Sequence, residues 1–175
     1  MYEKYAKLEK ALFKLEQILV MIPFVVIFIT VVIQVVQRFF NLPLPDTTDM
    51  SIFGQACFTF FCIGMLVYLD GHITIEVHKM IKNRSVLFVI EIIKNILTLV
   101  FAAVFIYLGW DLFFYAFQGG SATMAMRLPL WIPYGSMLIG LVLMVVHCIG
   151  ETIKLCYRKK HNLPFTDEVD VESMR

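Results

Sequence analysis

Nineteen residues in a row, Ser51 to Leu69, carry no charge, and the run ends abruptly in Asp70-Gly71-His72-Ile73-Thr74-Ile75-Glu76-Val77. About 20 residues of helix cross a bilayer core, where no water is present to satisfy an open backbone. The stretch therefore reads as a membrane span followed by a sharp turn at the surface. Composition agrees: 59% of the 175 residues are hydrophobic and the mean hydropathy is +0.78, against roughly 45–50% apolar in an average chain. Internal repeats, linkers and low-complexity runs are absent, so residues 1–160 read as one membrane domain, with a polar tail at 161–175.

The same criteria give three further spans. Residues 18–38 are rich in Val, Ile and Phe, with Pro23 in the early turns. Near the far end, Gln34, Gln37 and Arg38 share one helical face, which prefers protein or headgroups to lipid. The prolines of the 41–49 connection forbid a continuous helix, and Thr48 or Asp49 is placed to cap the next one. Spans at 86–117 and 131–151 complete a set of four, separated by Gln118-Gly119-Gly120-Ser121 and an aromatic, proline-rich re-entry. Glu91 and Lys94, three residues apart, can pair on their helix. Residues 2–17 alternate Glu and Lys around leucines at three- and four-residue intervals, and residues 73–84 show a similar pattern. Both segments predict amphipathic helices in the membrane interface, one at the N-terminus and one between helices 2 and 3, although residues 2–17 could equally be a solvated leader to the first span. Because the apolar run follows a charged, patterned segment and ends in Gln37-Arg38-Phe39-Phe40, the first span is expected to be retained rather than cleaved as a signal peptide.

Charge sets an orientation. Lys and Arg number 4 before the first span, 1 after it, 4 between the second and third, 1 between the third and fourth, and 5 at the end. Thirteen of 15 thus fall on one side, which places both termini and the 70–94 connection in the cytoplasm. Trp110 and Trp131 then lie together at the opposite interface.

Little in the sequence suggests chemistry. A quinone-linked disulfide oxidase would need cysteine pairs on the oxidising side. Here Cys57 and Cys62 lie inside the second span, and Cys148 and Cys156 lie at the cytoplasmic end of the fourth. A b-type haem would need facing histidines, whereas His72, His78, His147 and His161 gather near the cytoplasmic surface, as surface or capping residues. No span has a carboxylate at its centre. Asp111 sits near the outer Trp level, within reach of Arg38, Arg127 or water for a structural ion pair. On the second span Gly54, Cys57, Phe61, Gly64 and Tyr68 share a face on which the glycines permit close helix approach. Four long apolar helices without a reaction site point to a subunit that holds another protein in the bilayer. A small membrane redox protein, haem or quinone linked, is the alternative.

Arg38, a carboxylate at Asp49, Gly64, the Gly71-His72-Ile73 exit and Leu128-Pro129-Leu130-Trp131-Ile132-Pro133-Tyr134-Gly135 together resemble the DctQ-like small membrane subunit of tripartite ATP-independent periplasmic (TRAP) transporters. The likeness covers about Leu15 to Lys160 in span number, loop length and topology. One departure is Thr48-Asp49-Met50, a single carboxylate where the family commonly has a Trp and paired Glu. The resemblance implies a non-catalytic scaffold in the bacterial inner membrane. Its partners would be a large multi-span subunit that holds the sodium and substrate sites, and a periplasmic binding protein that delivers an organic acid of C4-dicarboxylate or sialic acid type. It implies no cofactor in this subunit and no nucleic-acid partner. The implied partner-facing residues are Arg38, Asp49, Gly54, Cys57, Phe61, Gly64, Tyr68, His72, Asp111, Arg127, Trp131 and Tyr134.

Overall fold

Four helices account for nearly all of the chain that the computed structural model describes, residues 2–43, 46–69 and 84–161, the side chains of 2–8 and 84 excepted. They are α1 (Tyr2–Phe40), α2 (Thr48–Tyr68), α3 (Arg84–Gly119) and α4 (Trp131–Lys160). Each is long and apolar enough to cross a membrane. The expected helix between the second and third spans, with His72 at its start, lies outside the described residues.

The N-terminal segment departs from expectation. Residues 2–17 form no separate interfacial helix but the first turns of α1, which runs unbroken for 39 residues. At 1.5 Å per residue that is ~58 Å, about twice the ~30 Å hydrocarbon core. Pro23 lies inside it and is buried, its carbonyl close against Gly54 of α2. A proline is tolerated there because a neighbouring helix packs over the interrupted turn.

The helices pack in the spatial order α1, α2, α4, α3. Helix α4 is central: it touches all three others, whereas α3 packs mainly on α4. The buried core follows, with Met137, Leu141, Met144 and Cys148 of α4 meeting Val67 of α2 and Ala102 of α3. Lipid is as apolar as these side chains, so close packing and polar links between helices must hold them together. The closest approach is at Gly140, where any Cβ would run into the backbone carbonyl of Phe60 on α2. Polar links run between α1 and α2, where Gln34 donates to the Ser51 hydroxyl at 2.6 Å and Ser51 to Thr30 at 3.0 Å. Asn95 of α3 donates to Thr152 of α4 at 3.2 Å. The polar face expected at Gln34 thus meets protein, and Glu91 pairs with Lys94 at 2.6 Å as their spacing predicts.

Candidate functional site

At the end of the bundle where Trp131 opens α4, the chain builds a fixed loop. Gly120, at φ 60°, ends α3 in the left-handed conformation that glycine adopts without a Cβ clash, and Ser121 N–H returns to the Ala116 carbonyl at 3.2 Å. Ala122 then pairs with Pro129 as an antiparallel bridge. Inside it, Thr123 N–H donates to the Leu128 carbonyl at 2.9 Å and Leu128 N–H to the Thr123 hydroxyl at 3.0 Å. Arg127 closes the turn at φ 52°, which costs a residue with a Cβ roughly 1–2 kcal/mol.

Asp49 offsets that strain. From the first turn of α2 its Oδ2 accepts the backbone N–H groups of Ala125, at 3.0 Å, and Met126, at 2.9 Å, 76 and 77 residues away in sequence. Asp49 is therefore a loop anchor and not the cap its position suggests. Asp46 binds the first turn instead, accepting from the Thr48 hydroxyl at 2.5 Å and the Thr48 N–H at 2.9 Å. Those two bonds, with Arg38 acting in the same direction, hold the Asp46 carboxyl below its ordinary range. The stabilisation is present at neutral pH and is lost only in acid, as pH falls through that lowered value. Pinned in this way, the loop presents Met124 fully exposed, beside an exposed Arg127. Under it a groove of about 230 Å³ runs between α2 and α4, lined by Asp49, Phe53, Thr123 and Tyr134 among others. Asp49→Ala should leave the helices intact and free the loop. The hydrogen bonds lost are charge-assisted, so amide exchange at Ala125 and Met126 should speed up, while unchanged protection would mean the anchor is absent.

The remaining residues singled out from the sequence fall into three groups. Arg38, Arg127, Trp131 and Tyr134 lie at the Asp49 end, with Trp131 against Phe117 in an edge-on contact at 6.0 Å. Asp111 belongs to this end too, but among the described residues neither Arg38 nor Arg127 pairs with it. It is exposed beside an apolar groove between α3 and α4 that Tyr107 and Trp110 also line, so the expected ion pair is not formed. Gly54, Cys57, Phe61, Gly64 and Tyr68 form the third group. Gly54 meets Ile27 and Pro23 of α1, and Gly64 meets Glu16 of α1 and Leu143 of α4. The close approach that the glycines allow is thus taken up by the chain's own helices. The periodicity identifies this face but not the neighbour.

At the opposite end lies a cluster that sequence reasoning missed. His147 is completely buried, not a surface or capping residue. Its Nε2 faces Glu16 Oε1 at 3.1 Å and its Nδ1 faces Glu9 Oε1 at 3.5 Å. Tyr68 packs edge-on to the imidazole at 5.3 Å and stacks on Phe13 at 4.4 Å. Glu16 is also fully buried, although it reads in the sequence as part of a solvated amphipathic face. The available signal was the seven-residue spacing of Glu9 and Glu16, two turns along one side of α1. With both ring nitrogens against carboxylates, His147 offers neither to a haem iron. His161 does sit at a helix end, as the C-cap of α4. All four cysteines are free.

A family model described as "Tripartite ATP-independent periplasmic transporters, DctQ component" matches residues 27–157, from the middle of α1 to the last turns of α4. No curated protein matches the chain.

Proposed function

This chain belongs to the DctQ family, and from that membership in a family of small TRAP membrane subunits we propose that it is a non-catalytic scaffold for the transporter's large membrane subunit. The family match carries this reading, since it takes in the last third of α1, all of α2, α3 and the loop between α3 and α4, and nearly all of α4. The large subunit supplies the sodium and substrate sites, and a periplasmic binding protein delivers an organic acid of C4-dicarboxylate or sialic acid type. The distribution of Lys and Arg supports a cytoplasmic location for both termini and a periplasmic one for the Asp49-anchored loop, in the bacterial inner membrane. The second-span face is occupied within the chain, so the exposed apolar sides of α1 and α3 are left to meet the large subunit and lipid.

Reconstitution tests the scaffold. Proteoliposomes holding the large subunit, supplied with binding protein and labelled organic acid under a sodium gradient, should take up substrate only when this subunit is included. Full uptake without it would overturn the proposal. The loop makes a narrower claim. A pinned turn with a projecting cation and an exposed methionine suits the surface of a docked binding protein, so Arg127→Glu should lower uptake at unchanged membrane insertion. Wild-type uptake by that variant would remove Arg127 from the interface.

A further inference from the structure

The cluster at the far end of the bundle has no part in the scaffold reading, and its geometry constrains its charge. A neutral imidazole carries one N–H and one lone pair. Both ring nitrogens of His147 point at carboxylate oxygens, so a neutral ring would turn its lone pair onto one of them. Glu16 sharpens the constraint. Its Oε1 is pressed against Gly64, where an ideal Cβ would lie 2.6 Å away, and its buried Oε2 has no hydrogen-bond partner. An ionised carboxylate shut away from water needs a countercharge, and His147 is the group in contact with it.

We propose that Glu9, His147 and Glu16 form a proton-binding site, in which an imidazolium held between two carboxylates ties the first turns of α1 to α2 and α4. The proton enters from the bundle end that carries both termini, because the Glu9 side chain is 17% exposed while those of His147 and Glu16 are sealed. On α4 the ring lies ~24 Å from Trp131, at 1.5 Å per residue. A metal ion does not suit the same residues. The imidazole itself occupies the space between the carboxylates, and no metal-holding group occurs among the described residues.

Other charged groups around the site are already engaged. Glu9 and Glu16 face it from α1 and the Tyr68 ring from α2. On α4 itself, Glu151 and Lys154 pair at 3.4 Å. On α3, packed against α4, Glu91 and Lys94 pair at 2.6 Å. Each of these pairs is internally neutral, which leaves the two α1 carboxylates to set the charge of the ring. When the proton leaves, two carboxylates abut a neutral ring and the reason for α1 to stay docked there is lost.

The experiment is nitrogen NMR on the full-length chain, labelled with 15N-histidine, in lipid nanodiscs. At about pH 8 an ordinary histidine, with a pKa of roughly 6.5, is neutral. One of the four imidazoles should remain doubly protonated there and should disappear in His147→Gln. Glu9→Gln changes a partly exposed residue without altering shape, so it keeps the fold while removing one acceptor charge. With Glu16 still in place it should lower the pH at which the doubly protonated signal is lost, and it should speed amide exchange over residues 9–17. A neutral His147 in the wild-type chain at that pH, or a doubly protonated signal in Glu9→Gln that persists to the same pH as in the wild type, would overturn the proposal.

Discussion

Gly140→Val should abolish the folded bundle. A Cβ at this position meets the Phe60 carbonyl of α2, and that atom is backbone in the middle of a helix. It cannot rotate away as a side chain could. The α2/α4 seam would have to open along its length, separating Val67 from Met144 and the rest of the buried cluster. Overpacking that side chains can absorb costs about 1–3 kcal/mol. Here the loss should be on the order of 4 kcal/mol or more, the range of the severest single substitutions. Size-exclusion profiles and thermal unfolding in one detergent give the measurement. Gly109→Ala is the control, because the atom it would meet is the mobile tip of Met137, and a methionine can move aside for less than about 1.5 kcal/mol. Equal behaviour of the two variants would mean that the α2/α4 contact is not as tight as described.

A comparable effect is expected at His147. Replacing it alone by leucine leaves the Glu16 carboxyl fully buried and without its partner. Removing one partner of a buried pair costs about 3–5 kcal/mol, whereas replacing both by apolar residues of similar volume is often close to neutral. His147→Leu should therefore be strongly destabilised, and His147→Leu combined with Glu16→Met should recover most of the loss. Glu9 can turn toward water and needs no matching change. Denaturant or thermal unfolding of the wild type, both single variants and the double variant closes the cycle. Strictly additive losses would show that the two groups do not interact.

What the sequence made legible follows from what periodicity can report. Uncharged runs of span length mark α2 to within a few residues of both ends and mark the start of α4, whose helix continues nine residues past the expected span to Lys160, because the bilayer requires that length whatever the neighbours are. A helical period also shows which residues share a face, so it sets Gln34 on a face that prefers protein or headgroups to lipid and Gly54 with Gly64 on a packing one. It does not say what lies opposite. Gly64 fits Glu16 of the same chain, and nothing in the spacing of either residue announces the other. Gly140 went unread although Ser136-x3-Gly140 has the small-residue spacing of a close helix contact. The Asp49 anchor was out of reach for a different reason. Its partners are backbone N–H groups, which every residue carries, so the bond leaves no trace in residue type. His147 was misplaced because the charge alternation of residues 2–17 looks the same whether those turns lie on a membrane surface or stand upright against α4.

The spatial order α1, α2, α4, α3 also bears on how the protein is made. Synthesis proceeds from the N-terminus, so α3 leaves the ribosome before α4, the helix it mainly packs against. It must enter and wait in the bilayer as a lone helix. Its sequence suits that interval, since Glu91 and Lys94 neutralise each other within one turn and the exposed large side chains between Ile96 and Tyr107 are apolar and aromatic. A nascent chain halted before Trp131 would hold α1 and α2 together but leave α3 adrift. The arrival of α4 is then the assembly step that joins the two halves, and Gly140 is where that closure succeeds or fails.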